Sequence, residues 1–255
     1  MSAIRILRHL SQLHDGRAAR SSHFRLADHP RQSDNMPAKS GAKIAIPAGE
    51  KANLIANAAI SAVVNLFVIA GLPFLLYFVY QKGRHKRGFA EIAQRTGLRL
   101  GSCRYVGYSL AFALTGIAIL SIWPPPVGPF IRDGSPQQVF RGLGLGVPSV
   151  LMALLYGVVK TGFPEELLFR GLIAGSLSRR LSPLWANLGQ ALIFLVPHLL
   201  VLRIMPEMWG ILPVIFTGSL FLGWVRIKSG SIIGPWLIHA TANVAICLSI
   251  AIRTA

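Results

Sequence analysis

Uncharged apolar stretches alternate with short charged segments over most of the chain, and each stretch is about as long as a membrane crossing. Three consecutive prolines, residues 124–126, should end the second stretch as a helix near Trp123. A helix crosses the bilayer core with about 20 apolar residues. Strand alternation is missing, and a backbone in lipid must pair its own polar groups, so helices are expected. The pattern predicts an all-α, polytopic transmembrane helical bundle whose six spans are residues 52–81, 105–131, 142–159, 181–202, 208–225 and 229–252.

A further apolar segment, Phe163–Leu177, differs from these six because it contains Glu165, Glu166 and Arg170. We expect it to be one short motif-bearing membrane helix in addition to the six spans. Pro164 suits the first turn of such a helix, since its missing N–H would be unpaired there in any case.

The composition supports a membrane protein. The chain is 53% hydrophobic and 14% charged, whereas soluble domains carry about 25% charged residues. Its net charge of +17 would suggest nucleic acid in a soluble protein. Here the basic residues lie in the N-terminal segment and between the apolar stretches, which favours membrane lipids as partners and no nucleic acid. Cys103 and Cys247 fit neither a metal-ligand spacing nor a disulfide framework.

The first fifty residues form a segment of different character. Residues 1–50 are basic and contain no apolar run that could be the core of a secretory signal. We expect a tail that is disordered or lies on a surface, and Met36 is a plausible later start. Residues 51–255 are predicted to form a single membrane domain.

The distribution of Lys and Arg predicts the orientation in the membrane. The segment Lys82–Arg104 has the highest basic density beside a span, which places it in the cytoplasm. Arg179 and Arg226 mark two further turns that should lie on the same side. Turns on the same side are separated by an even number of crossings, and the spans 105–131 and 142–159 already provide two before Arg179. Phe163–Leu177 should therefore dip into the bilayer and return instead of crossing it. We expect the protein in the cell (plasma) membrane.

Two adjacent carboxylates in an apolar stretch require an explanation, because a charge at membrane depth costs about 2.5–3.5 kcal/mol. In the first turn of a helix, the macrodipole would favour both of them. Glu166 and Arg170 are four residues apart in the favourable order for an ion pair, while Glu165 points about 100° away. Two interpretations stay open: an ion pair beside a solvated second glutamate, or one structural and one reactive carboxylate.

Only two of the seven histidines lie in the predicted spans. His198 follows Phe194 by four residues, and His239 precedes Asn243 by four, so each pair shares one helix face. Taken singly, each histidine could be a hydrogen-bonded contact between helices. Together with Glu165, they could supply a base, a group that orients water, and donors to an oxyanion.

The three motifs Glu-Glu-x-x-x-Arg, Phe-x-x-x-His and His-x-x-x-Asn occur in this order over about residues 142–252. Each motif is weak alone, but the ordered set resembles the CPBP family of intramembrane proteases. This family comprises the type II CAAX prenyl endopeptidases and the bacteriocin-processing and abortive-infection membrane proteins. The resemblance implies an intramembrane glutamic endopeptidase whose active site opens toward the cytosol. Its substrate would be a peptide or a membrane protein, prenylated or not.

The resemblance also implies a role for each motif residue. Glu165 would be the general base that activates water, and His198 would help to hold that water. His239 and Asn243 would polarise the scissile carbonyl and stabilise the oxyanion. Supporting roles would fall to the remaining motif residues, Glu166, Arg170 and Phe194.

Two alternatives remain beside a metal-free protease. Glu165, His198 and His239 could hold a zinc ion and leave one position for water, although no His-Glu-x-x-His pair is present and Asn243 is a poor zinc ligand. The chain could also be a non-catalytic membrane immunity or scaffold protein of the same fold. Complete motifs favour the enzyme over this non-catalytic protein, and the lack of a zinc motif favours catalysis without a cofactor. A transporter would show two similar halves with broken helices, and no such halves are found.

Overall fold

The computed structural model describes residues 47–203 and 206–255, and helices account for most of this part. Within these residues, six helices are long and apolar enough to cross a membrane, which confirms the predicted all-α polytopic bundle and an integral membrane protein. The predicted tail lies outside the described residues up to position 46. In chain order the helices are α1 (Gly49–His85), the short α2 (Phe89–Thr96), α3 (Cys103–Ile122), α4 (Val147–Leu177), α5 (Pro183–Val201), α6 (Leu212–Ser229) and α7 (Ile233–Arg253).

The outer surface of the bundle is apolar, as a lipid-facing surface must be. Only 11% to 33% of the residues in the most hydrophobic window of each crossing helix are buried within the protein. Leu76 of α1 and Leu114 of α3, for example, are more than half exposed. Small residues such as Ala62, Ala153 and Ala251 are fully buried where helices meet. Such residues let helix backbones approach closely, which is how helices associate in lipid.

The sequence predicted where α3 ends and that the motif-bearing segment is a separate helix, and these two predictions have different outcomes. α3 ends at Ile122, directly before Trp123 and the prolines, as expected. α4, in contrast, continues through the motif-bearing segment. The expectation that Phe163–Leu177 dips into the bilayer and returns is therefore wrong, and Pro164 does not lie in the first turn of a helix.

Irregular hydrogen bonding explains how α4 accommodates a proline in its interior. Two π-helical segments, Leu155–Gly162 and Glu166–Ala174, lie on either side of the turn that contains Pro164. Such segments change the usual bonding pattern locally, and they occur frequently at functional sites. Because Glu165 and Glu166 lie in the middle of α4, the macrodipole at a helix start does not explain them.

Three basic turns meet at one end of the bundle. The segment between α2 and α3 bonds to the α6–α7 turn, where Ile232 N donates to Gly97 O (3.0 Å) and Ser102 N donates to Ser229 O (3.3 Å). Near the end of α4, Arg179 Nη1 donates to Arg95 O (3.4 Å). Because α4 is one long helix, the three turns share an end without any partial crossing.

An apolar cluster closes the opposite end of the bundle. Its buried members include Phe130 and Phe140 from the α3–α4 connection, Met152 from α4, and Cys247 and Ile250 from α7. The connection is also held to α7 by backbone hydrogen bonding, since Gly144 N donates to Ala251 O (3.1 Å). This packing fixes α4 against α7, the two helices that carry most of the motif residues.

Candidate active site

A buried ion pair on α4 forms the base of the candidate site. Arg170 Nη1 lies 2.9 Å from Glu166 Oε1, and both side chains are completely buried. Arg170 Nη2 donates to Ser219 Oγ of α6 at 3.0 Å. The predicted ion pair between Glu166 and Arg170 is therefore present. Its burial means that each charge depends on the other, because a lone charge in such surroundings is strongly unfavourable.

His239 of α7 connects this ion pair to the second glutamate. Its Nδ1 lies 2.8 Å from Oε1 of Glu166, the atom that also accepts from Arg170. A carboxylate only accepts hydrogen bonds, so Nδ1 of His239 carries a proton in this contact. The other ring nitrogen, Nε2, then faces Glu165 across 3.9 Å.

The two glutamates consequently have different surroundings. Glu166 is completely buried, and its Oε2 has no hydrogen-bond partner in the part of the chain that the structure describes. The Glu165 side chain is 25% exposed. The carboxylate that water can reach is thus Glu165, whereas Glu166 holds Arg170 and His239.

Phe194 of α5 brings the remaining aromatic and charged groups together. The Arg170 guanidinium lies 4.2 Å from the centre of its ring, within the usual range of a cation–π contact. The His198 ring lies 4.7 Å from the same ring, and the His239 ring lies 6.3 Å away. Phe169 packs edge-on against Phe194 at 4.9 Å. Phe194 therefore lies in contact range of both motif histidines and the motif arginine.

The orientation of His198 follows from a hydrogen bond within its own helix. Its Nδ1 lies 2.9 Å from the carbonyl oxygen of Phe194, one turn earlier in α5. Because a carbonyl only accepts, Nδ1 is the protonated nitrogen, and Nε2 of the neutral ring can accept a hydrogen bond. Nε2 of His198 is therefore the nitrogen available to a ligand or a water molecule.

Asn243 lies one turn beyond His239 on α7 and is held by a partner that sequence reasoning did not identify. Its Nδ2 donates to Thr161 Oγ1 at 2.9 Å, and Thr161 donates in turn to Tyr156 O at 2.9 Å. Both partners belong to the first π-helical segment of α4. The signal that could have indicated Thr161 is a hydroxyl between the predicted span 142–159 and the motif-bearing segment, four residues before Glu165.

Side chains from neighbouring helices also bind carbonyl groups of this π-helical segment. Trp236 Nε1 donates to Val158 O (3.1 Å), and Asn65 Nδ2 donates to Lys160 O (2.5 Å). Carbonyl groups inside a membrane need such partners. The irregular part of α4 is thereby fixed in position beside the glutamates.

The residues of the zinc alternative are not grouped as a metal site in the described part of the chain. Among the residues that the structure describes, no three His, Cys, Asp or Glu side chains are grouped closely enough to hold one. Of the zinc alternative, Glu165 and Nε2 of His239 face each other across 3.9 Å, and both histidines are held through Nδ1, His239 by Glu166 and His198 by the Phe194 carbonyl. No catalytic step is therefore assigned to a metal.

The fold and the site together define a class: a polytopic membrane protein in which two glutamates and an arginine of one helix meet a histidine of another. Comparison with known families gives a match over part of the chain. Residues 147–245 match the model of the family described as "Rce1-like: Type II CAAX prenyl endopeptidase Rce1-like". All seven motif residues lie within this segment, and the resemblance to the CAAX-type intramembrane proteases is confirmed over it. No curated protein and no solved structure matches the chain significantly.

Proposed function

We propose that this protein is an intramembrane endopeptidase that hydrolyses a peptide bond of a membrane-associated or lipidated substrate, using water activated by Glu165. One observation carries the proposal. The accessible carboxylate of Glu165 faces Nε2 of His239 across 3.9 Å, while the buried Glu166 holds that ring from its other side. A water molecule can bridge polar groups that are too far apart for a direct hydrogen bond.

The chemical step requires a base and a group that positions the water. Glu165 would take a proton as the water oxygen attacks the carbonyl carbon of the substrate. His198, whose Nε2 can accept a hydrogen bond, would help to hold the water in place. Glu165 would then return the proton to the leaving nitrogen when the C–N bond breaks. General acid–base catalysis of this kind contributes about 10²–10⁴-fold to the rate.

The tetrahedral intermediate requires hydrogen-bond donors for its oxyanion. An amide nitrogen carries two hydrogens, so Asn243 can donate to the oxyanion with the one that Thr161 does not use. His239 would be the second donor through Nε2 when that atom is protonated. Glu166 would fix the His239 ring, and Arg170 would keep Glu166 charged and in place. Removing such a donor typically costs about 10²–10³-fold in turnover.

The location of the reaction follows from the same proposal. We infer that the protein resides in the cell membrane with the end that carries the three basic turns in the cytosol, since loops rich in Lys and Arg remain on that side. The candidate active site would then be open toward the cytosol. Its substrate would be a peptide or a membrane protein, and a prenylated chain end is one candidate.

The test is cleavage of membrane-associated reporter peptides, with and without a prenylated cysteine, by the purified protein. Glu165→Gln keeps the size and hydrogen bonding of the side chain but removes its basicity. We expect wild-type protein to cleave at least one reporter and Glu165→Gln to be about 10²–10⁴-fold slower. Glu207→Gln is the matched control, because Glu207 pairs with Arg132 in an exposed ion pair outside the site. A fully active Glu165→Gln protein would contradict the assignment of the base.

The same assay tests the metal-free mechanism. We expect a strong chelator to leave cleavage unchanged, since no three potential metal ligands are grouped among the described residues. If chelation abolished cleavage and zinc restored it, Glu165 would be a ligand and the mechanism proposed here would be wrong. If the wild-type protein and Glu165→Gln both failed to cleave every reporter, a non-catalytic immunity or scaffold protein would be the better explanation.

A further inference from the structure

Away from the candidate active site, a cavity of about 350 Å³ lies at the end of the bundle where the basic turns meet. This volume is at the lower end of the range for small-molecule sites. The nearest residue of α4, Gly175, is ten residues beyond Glu165, or about 15 Å along a helix. The lining residues are Glu91, Gln94, Arg95, Gly175, Ser178, Arg179 and Arg226.

The charge of this cavity is strongly positive. Three guanidinium groups and one carboxylate line it, which leaves a net charge of +2. Partial desolvation of Glu91 is outweighed by hydrogen bonds from Arg95 and Arg87, which hold the pKa of Glu91 below its usual value. Glu91 is therefore ionised at neutral pH, and its Oε1 is already shared by those two arginines at 3.2 and 2.6 Å.

Arg226 and Arg179 have no carboxylate partner in the described part of the chain. Arg226 is 8% exposed, yet its one hydrogen bond there runs from Nη2 to Arg95 O at 3.1 Å, and its buried Nε has no partner. Arg179 donates only to neutral oxygens, those of Arg95, Tyr77 and Ser176. A guanidinium carries five N–H donors, so both side chains retain donors for an anion.

The surrounding backbone leaves room for the Arg226 guanidinium. A Cβ atom on Gly97 would lie 2.6 Å from its Nε, and one on Gly175 would lie 2.7 Å from the carbonyl oxygen that accepts from Arg226. Gly97 also has a positive φ of 73°, a conformation that favours glycine. The arginine is thus held in a fixed position between two glycines, which is how a preorganised anion site is built.

We propose that this cavity binds a phosphate group at the membrane surface. A phosphate monoester carries a charge of up to about −2, which is opposite and equal to the net charge of the cavity. One guanidinium group can donate two parallel hydrogen bonds to two phosphate oxygens. Because the crossing helices α1, α4 and α6 end here, the cavity lies at the depth of the lipid headgroups. The headgroup of an anionic lipid and free phosphate are both sources of this group, and the experiment distinguishes them.

The experiment is a thermal-shift titration of the full-length protein in detergent. A ligand that binds only the folded state raises Tm as its concentration passes its Kd. One series contains short-chain phosphatidic acid, with short-chain phosphatidylcholine as the comparison, and a second contains inorganic phosphate at constant ionic strength. Arg179→Gln removes one guanidinium from the cavity. Arg180→Gln removes the same charge from the next residue, which does not line the cavity, and is the matched control.

We expect phosphatidic acid to raise the Tm of wild type and Arg180→Gln with the same apparent Kd. Arg179→Gln should bind about tenfold more weakly, as expected for the loss of a charged hydrogen bond. The same pattern with inorganic phosphate would support the site and identify a soluble source. If Arg179→Gln and Arg180→Gln had the same apparent Kd in both series, the proposal would be overturned. It would also be overturned if phosphatidylcholine raised the Tm as much as phosphatidic acid. If Arg179→Gln does not fold, Arg95→Gln takes its place in the same titration.

Discussion

Glu165 and Glu166 are neighbours in the sequence, but their contacts give them different properties. Glu166 accepts from Arg170 at 2.9 Å and from His239 at 2.8 Å in a fully buried position. Glu165 is partly exposed and has no direct hydrogen bond within the described part of the chain. The glutamate that holds Arg170 and His239 is therefore distinct from the glutamate proposed to act as the base.

Glu166→Gln should destabilise the protein as well as reduce its activity. The substitution leaves Arg170 as a buried charge without a carboxylate, and breaking a buried ion pair in this way costs about 3–5 kcal/mol. It also weakens the contact that orients His239. The measurement is Tm in detergent together with the amount of protein in membranes. Glu165→Gln is the control and should keep the wild-type Tm. A Glu166→Gln protein as stable as wild type would show that the pair is not needed for folding.

Among the helices, the contact between α4 and α7 leaves little room for change. Gly157 lies in the first π-helical segment of α4 and packs against α7, which carries His239 and Asn243. A Cβ atom on Gly157 would lie 2.7 Å from Val244 Cγ2 and 2.9 Å from Ala240 O. The missing side chain is therefore what allows the two motif-bearing helices to approach.

Gly157→Ala should lower both stability and turnover. Forcing extra atoms into a packed contact typically costs about 1–3 kcal/mol, and any movement of α7 displaces His239. Gly116→Ala in α3 is the matched control, because nothing lies within 4 Å of the added atom. Since alanine is the better helix former by about 0.5–1 kcal/mol, the control should be at least as stable as wild type. The measurement is Tm and reporter cleavage of both variants. Equal Tm values for the two would contradict the close packing.

For the whole molecule, the central feature is that all three basic turns meet at one end. Cys103 is exposed at the start of α3, beside the most basic turn, while Cys247 is buried. With this end in the cytosol, a membrane-impermeant thiol reagent should not label the protein in intact cells. It should label Cys103 once the cells are permeabilised. Cys103→Ser is the control and should remain unlabelled in both cases. Labelling of Cys103 from outside intact cells would mean that the orientation is inverted.

The N-terminal segment should be dispensable for insertion and catalysis. No motif residue lies in it, and the matched family segment begins only at residue 147. A chain that starts at Met36 should insert in the membrane and cleave reporters at the wild-type rate. A chain that starts at Leu72 should fail, because it lacks most of α1 and with it Asn65, whose side chain binds Lys160 O. Loss of insertion in the Met36 chain would contradict the expectation.

The sequence by itself was sufficient for several features that depend on local interactions. The apolar stretches predict the crossing helices because a backbone in lipid must pair its own polar groups. The prolines after Trp123 predict the end of α3, and the four-residue spacing predicts the ion pair between Glu166 and Arg170. The ordered motifs indicate the family, since they retain the residue types of one site.

Only the tertiary structure decides which distant groups meet. His239 is 73 residues from Glu166 and binds it directly, a contact that the sequence did not indicate, while Glu165 faces its other ring nitrogen across 3.9 Å. The continuity of α4 depends on π-helical segments whose carbonyl groups bind side chains of other helices, and no local pattern reveals such partners. The cluster of arginines at the end of the bundle likewise forms because three separate turns pack together. Spacing along one helix fixes a direction, but packing between helices determines the contact made in that direction.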